Sequence, residues 1–163
     1  MTAGAGRPTG SPARSAWALI GLSVVGLGIA AYLTSVHFAN VPLACSATGV
    51  VDCTRVLTSR YSVLPGTAVP ITVPGMLWFL VSLGLAVAQV RQPARRALRR
   101  LHLAWAALGT LTVLYLVGVE LLALHTICLW CSGVHLLVVA TLLTTVYRAT
   151  MPSPPAAAVP RRS

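Results

Sequence analysis

Four apolar stretches dominate the sequence. Trp17 to Phe38 runs 22 residues without a charge, Leu101 to Leu124 runs 24 residues interrupted only by Glu120, and Ile127 to Tyr147 runs 21 with no formal charge. A helix rises about 1.5 Å per residue, so about 20 residues cross a hydrocarbon core of about 30 Å. The remaining stretch, Val73 to Val90, has 18 residues and opens at Pro74-Gly75. Proline is tolerated in a first helical turn, where its missing N–H has no partner to lose, and Pro70 to Thr72 lengthen the stretch to a full span. Backbone groups in lipid must pair within their own segment, so all four stretches are expected to be helices. The expected fold is an all-α membrane protein, a four-transmembrane-helix bundle over residues 17–147. No internal repeat is visible. Residues 1–16 and 148–163, rich in Pro, Gly, Ser, Ala and Arg, are expected to be disordered cytoplasmic tails. The first stretch follows a basic lead, as a signal peptide does. Its run exceeds the roughly 7–15 residues of a signal core and no clean small-x-small site follows, so it is expected to remain as a span.

The connections orient the spans. Arg7 and Arg14 precede the first stretch; Arg91, Arg95, Arg96, Arg99 and Arg100 join the second to the third; Arg148, Arg161 and Arg162 follow the fourth. The loop from Ala39 to Thr72 holds only Arg55 and Arg60, and the turn His125-Thr126 holds none. Four crossings therefore place 10 arginines on one side and 2 on the other. The positive-inside rule puts both termini in the cytoplasm and the Ala39–Thr72 loop outside.

Composition agrees with the pattern. Apolar residues make up 56% of the chain, charged residues 9%, and mean hydropathy is +0.82. A soluble domain carries about 25% charged residues, and disorder requires low hydrophobicity, so both classes are excluded for the bulk of the chain. The net charge of +10 comes from arginine alone, against the two acids Asp52 and Glu120. Such an excess can signal nucleic-acid binding. Its one-sided distribution reads instead as topology and attraction to anionic lipid, with no nucleic-acid partner expected. Basic residues that are all Arg, with Pro- and Ala-rich tails, fit a GC-rich bacterial genome and hence a bacterial inner membrane.

The chemistry lies in the cysteines. Cys45 and Cys53 fall in the outer loop, and Cys128 and Cys131 open the fourth span. All four are on the side that is oxidising in bacteria, where disulfides form. Four cysteines allow three pairings, and spacing does not choose among them. Cys128-Leu129-Trp130-Cys131 is a CxxC at a helix start. Its two sulfurs share one helix face, and the partial positive charge of the N-terminus favours a thiolate. A more acidic thiol is a better leaving group in disulfide exchange, whereas a staple across one turn would constrain the unfolded chain little. The pair therefore reads as redox-active. Cys45 and Cys53, with seven residues between them, fit a loop staple equally well. Asp52 is placed to cap a short surface helix running to about Arg60, with Val56 and Leu57 against the membrane, which would put Cys53 at a second helix start.

Three other residues carry weight. His125-x-x-Cys128-x-x-Cys131 with the loop cysteines suggests a thiolate-rich metal-binding or transport protein as the rival class. No acid or histidine cluster supports it, and Ser132 after Cys131 excludes the CxxCH haem pattern, so no metal site is expected. His125 reads as an interfacial side chain. His135, one turn past Cys131 within the membrane, is a functional candidate by its position or else a neutral histidine bonded to a neighbouring helix. Glu120, near the outer end of its span, reads as a side chain reaching for the interface, the other reading being proton movement beside a redox site.

The ordered combination resembles the vitamin K epoxide reductase family in its bacterial form. The matching stretches are CSATGVVDCTRVLTSRYSVLPG at Cys45 to Gly66, VPITVPGMLWFL at Val69 to Leu80, and CLWC at Cys128 to Cys131. DsbB-type quinone reductases also have four spans and four outer cysteines, but with the CxxC in the first outer loop, the reverse of the order here. The resemblance implies a four-helix bundle that holds a quinone (menaquinone or ubiquinone) near the outer surface. It implies a membrane thiol–disulfide oxidoreductase supporting extracytoplasmic disulfide formation. Cys45 would exchange with a thioredoxin-like, DsbA-like protein, Cys53 would relay to Cys128, and Cys131 would face the quinone. Ser59, six residues after Cys53, stands at the family's Ser/Thr and would help position the quinone or the surface helix, and His135 joins it as a quinone-binding candidate. Many bacterial members carry a fused thioredoxin-like domain after the bundle; this sequence ends at Ser163 in a Pro- and Arg-rich tail, so the partner is expected in trans. Val134-His135-Leu136 replaces the Thr-Tyr-Ala of the vertebrate enzymes, which points to quinone reduction and away from the epoxide.

Overall fold

The computed structural model describes residues 12–150, apart from 40, 42, 46 and 47. The tail segments 1–11 and 151–163, expected to be disordered, lie outside the described residues. Helix α1 runs Pro12–Ala39, the short α2 Cys53–Leu57, α3 Thr72–Arg91, α4 Arg96–Gly118 and α5 Leu129–Thr150. α4 continues directly into a π-helical segment, Val119–Leu124. Four of these helical units are long and apolar enough to cross a membrane, so the chain is an all-α four-helix membrane bundle, as the pattern predicts. The helices take in 12–16 and 148–150, which the sequence reading assigned to the tails. No strand forms among the described residues; three isolated bridges stitch the loops.

Each long helix packs chiefly on two neighbours, α1 on α3 and α5, and α4 on α5 and α3, which closes a ring. The buried side of α1 reads Ala16, Leu19, Ser23, Gly26, Ala30, Leu33 and Val36, at spacings of three and four residues. α3 answers with Phe79, Ser82, Ala86 and Gln89, and α4 with Ala106, Gly109 and Val113. Lipid supplies no hydrophobic drive for helices to associate, so small residues that admit close backbone approach carry the contact. At Gly26 a β-carbon would collide with the ring of Phe79, and at Gly109 with the indole of Trp78. Trp78 and Trp105 stack with centroids 6.5 Å apart. Each indole N–H donates to the other's backbone carbonyl at 3.2 Å, locking α3 to α4.

The end of the bundle carrying the α3–α4 connection is tied by a buried polar network. Arg148 of α5 donates through Nε to Gln89 Oε1 at 3.1 Å and through Nη1 to Ser15 Oγ at 2.6 Å. Gln89 Nε2 lies 2.8 Å from His102 Nδ1, and Arg99 donates to the carbonyl of Arg148 at 3.3 Å. One network therefore joins all four spans. Arg99 and Arg148, counted among the ten arginines that orient the chain, are buried inside the bundle end.

Candidate active site

Two helix starts meet at the opposite end. Asp52 caps α2, its Oδ1 accepting from the Arg55 amide at 2.9 Å, as the sequence predicts. The helix stops at Leu57, short of Arg60, where the Ser59 amide turns to the Val56 carbonyl at 3.3 Å and the Ser59 hydroxyl takes the Tyr61 amide at 3.3 Å. Just ahead of the cap, Val51 forms a parallel bridge with Ile127. The Asp52 amide donates to the Ile127 carbonyl at 3.1 Å, and the Ile127 amide to the Val50 carbonyl at 2.9 Å. The Thr126 hydroxyl adds a bond to the Val50 carbonyl at 2.9 Å. Cys128 follows directly on bridged Ile127, and Cys53 stands two residues after bridged Val51, so this clip carries both into one place.

All four cysteines belong to one apolar cluster. Cys53 and Cys128 are buried in it with Leu33, Val36 and Leu43, and the half-buried Cys45 and Cys131 pack against it. Cys45 and Cys53 form a disulfide with Cα atoms 6.1 Å apart. Cys128 and Cys131 are thiols. Of the pairings that sequence spacing left open, the structure forms the one within the loop and leaves both CxxC sulfurs reduced. Trp130, inside the CxxC, donates its indole N–H to the Ala44 carbonyl at 3.1 Å and meets the Tyr32 ring at a centroid distance of 5.1 Å. These contacts anchor the residue before Cys45 to the CxxC turn.

Cys128 stands immediately before α5, and the Cys131 amide donates to its sulfur at 3.4 Å. An N–H donated to sulfur at a helix start is the arrangement that favours a thiolate.

Cys131 faces a small pocket of about 60 Å³ whose lining also holds Ser59, Glu120 and His135. Its walls come from α1, the α2 region, the loop before α3, the π segment and α5, and they are mostly apolar. An apolar cleft with a few convergent polar groups is the usual form of a small-molecule site. Ser59 lines the pocket, but its hydroxyl donates to the Val56 carbonyl at 2.8 Å and accepts from the Tyr61 amide at 3.3 Å. Its work is therefore to shape the turn that follows α2. His135 is buried and makes no hydrogen bond among the described residues, so the neutral-histidine reading with a helix partner does not hold.

Glu120 departs from its interfacial reading. It is 6% exposed and turned inward. The π segment, whose turn closes with the amides of His125 and Thr126 both on the Glu120 carbonyl, brings it round toward α5. Its side chain lines the same pocket as Cys131. His125 is exposed and takes a left-handed backbone at φ 53° to turn the chain into the bridge. Among the described residues no three of His, Cys, Asp and Glu converge as a metal-ligand set. Two lining residues, His37 and Tyr61, had no signal of their own in the sequence.

The chain matches the model of the family described as "Vitamin K epoxide reductase family" over residues 17–146. No individually curated protein matches the chain.

Proposed function

The chain belongs to the vitamin K epoxide reductase family, and from that membership we propose that its four cysteines pass two electrons from a soluble thioredoxin-like protein to a membrane quinone. At the coarser level it is a multi-pass membrane oxidoreductase acting on disulfides. The observation that carries the finer reading is the clip at Val51 and Ile127, which sets an oxidised pair and a reduced pair side by side next to a pocket at membrane depth.

The steps follow from burial. Cys45, half-buried in the loop, is the sulfur a soluble dithiol can reach; Cys53 is 1% exposed and is not. Reduction of the Cys45–Cys53 disulfide frees a Cys53 thiolate inside the cluster that holds Cys128. That thiolate attacks the Cys128 sulfur when the inner pair is oxidised, and Cys131 leaves as the thiol. Cys45 then closes on Cys53, which restores the outer disulfide and leaves the inner pair reduced, the state of the pairs in this structure. Held in the pocket, a quinone supplies a two-electron, two-proton acceptor. His135, with an unengaged ring, is placed to donate to its oxygen, and Ser59 keeps the wall in shape.

Purified protein, given a reduced thioredoxin-like protein and either menaquinone or ubiquinone, is expected to bleach the quinone absorbance. No bleaching with either quinone would reject the reading.

We also place the chain in a bacterial inner membrane with both termini in the cytoplasm and the cysteine end outside, on the 10-to-2 arginine split. Phosphatase fusions at Gly49 are expected to be active, and those at Gln92 silent. The opposite pattern would put the cysteines in a reducing compartment and remove the basis for disulfide formation.

A further inference from the structure

We propose that Glu120 is a catalytic base of the inner cysteine pair, taking the Cys131 thiol proton as that sulfur reacts and releasing it into the pocket that both residues line. The inference rests on the redox reading of the pair but not on the identity of its acceptor.

Burial of a carboxyl group at membrane depth is expensive unless a cation pairs with it. No ion pair holds Glu120 among the described residues, and it is buried on the wall of the pocket that Cys131 also lines. A purely structural acid would be better placed at the interface, one turn away. Instead Glu120 sits in a π segment, a departure that recurs at functional sites, at the level of the CxxC. The result is an acid–base group open to the same pocket as the reacting sulfur.

The step balances. Closing the pair converts two thiols to one disulfide and releases two electrons and two protons to the two-electron acceptor. The Cys131 S–H bond breaks, its electron pair stays on sulfur, and the proton moves to the Glu120 carboxylate and from there to the acceptor. The second proton leaves Cys128 as the S–S bond forms. The other titratable groups facing Glu120 are His37 from α1, Tyr61 from the loop, and Cys128 and His135 from the α5 side; α2 and α3 bring none to the pocket.

The test uses the full chain in detergent, without quinone. Cys131 alkylation by N-ethylmaleimide is followed by peptide mass spectrometry between about pH 5 and pH 9. A thiol and carboxylate sharing one proton give a rate that is flat with pH over part of that range. An isolated thiol gives a rate that rises about tenfold per pH unit below its pKa. The wild type is expected to show the plateau. Glu120→Gln, similar in size but unable to take a proton, is expected to lose it and to react about tenfold or more slowly at the acidic end. Glu120→Asp is expected to fold and to keep a plateau at a lower rate, and it decides the matter if the Gln variant does not fold. A plateau that survives in Glu120→Gln, its absence from wild type, or its loss in a folded Glu120→Asp protein would each overturn the proposal. If wild type leaves quinones unreduced yet shows the Glu120-dependent plateau, the quinone reading falls and this one stands.

Discussion

Cys131→Ser is expected to reduce quinone turnover per folded molecule by about 10³-fold or more, the scale on which loss of an essential nucleophile is felt. Cys131 is the cysteine that lines the pocket, while Cys128 lies behind it, wholly buried against Cys53. Serine is nearly isosteric, so the bundle should survive. The lost thiol contact to Cys128 is worth only about 1 kcal/mol net, and the helix contacts at Gly26, Phe79, Gly109 and Trp78 are untouched. What is lost is the chemistry, because a hydroxyl neither closes a disulfide nor leaves from one. Exchange between the soluble partner and the Cys45–Cys53 disulfide should persist in this variant, since those sulfurs are intact. Quinone absorbance and partner oxidation, measured together with a melting curve, separate the effects. Turnover near wild type would make the CxxC a staple and remove Cys131 from the electron path.

How much of this could be read from the sequence depends on the physics behind each feature. The four spans were legible because lipid imposes a length and forbids unpaired backbone, and both constraints act on composition alone. The start of α2 was legible because Asp52 is a local cap; its end was not, because the Ser59 hydroxyl taking the Tyr61 amide competes with continued helix. That the two cysteine pairs meet was implied only by the family resemblance, because it depends on the bridge between Val51 and Ile127, two residues 76 apart in sequence. The π segment left no sequence mark, and with it went the inward turn of Glu120. The network of Gln89, His102 and Arg148 did have a signal: a glutamine and a histidine inside apolar stretches, on either side of one connection, are polar groups that must find partners at membrane depth. Positive-inside counting treats all arginines as solvated and so missed that Arg99 and Arg148 turn inward.

Cys53→Ala is expected to accumulate a mixed disulfide between Cys45 and a soluble thioredoxin-like protein, whereas Cys45→Ala is expected to accumulate almost none. Both variants lose the same loop closure, the Cys45–Cys53 disulfide at a sequence separation of 8. On chain-entropy grounds it is worth about 2–3 kcal/mol, so stability does not distinguish them. Access does. With Cys53 gone, Cys45 remains half-exposed in the loop and its bond to a partner has lost the internal thiol that would resolve it. With Cys45 gone, the surviving Cys53 is sealed under the cluster of Leu33, Val36 and Leu43 and can meet only Cys128 or Cys131. Non-reducing gels of cells expressing each variant should show a heavier, reductant-sensitive band at least ~10-fold stronger for Cys53→Ala, following thiol access. Equal bands would mean that the loop opens far enough to expose Cys53, and the order of transfer from Cys45 inward would fail. A stronger band for Cys45→Ala would reverse that order outright.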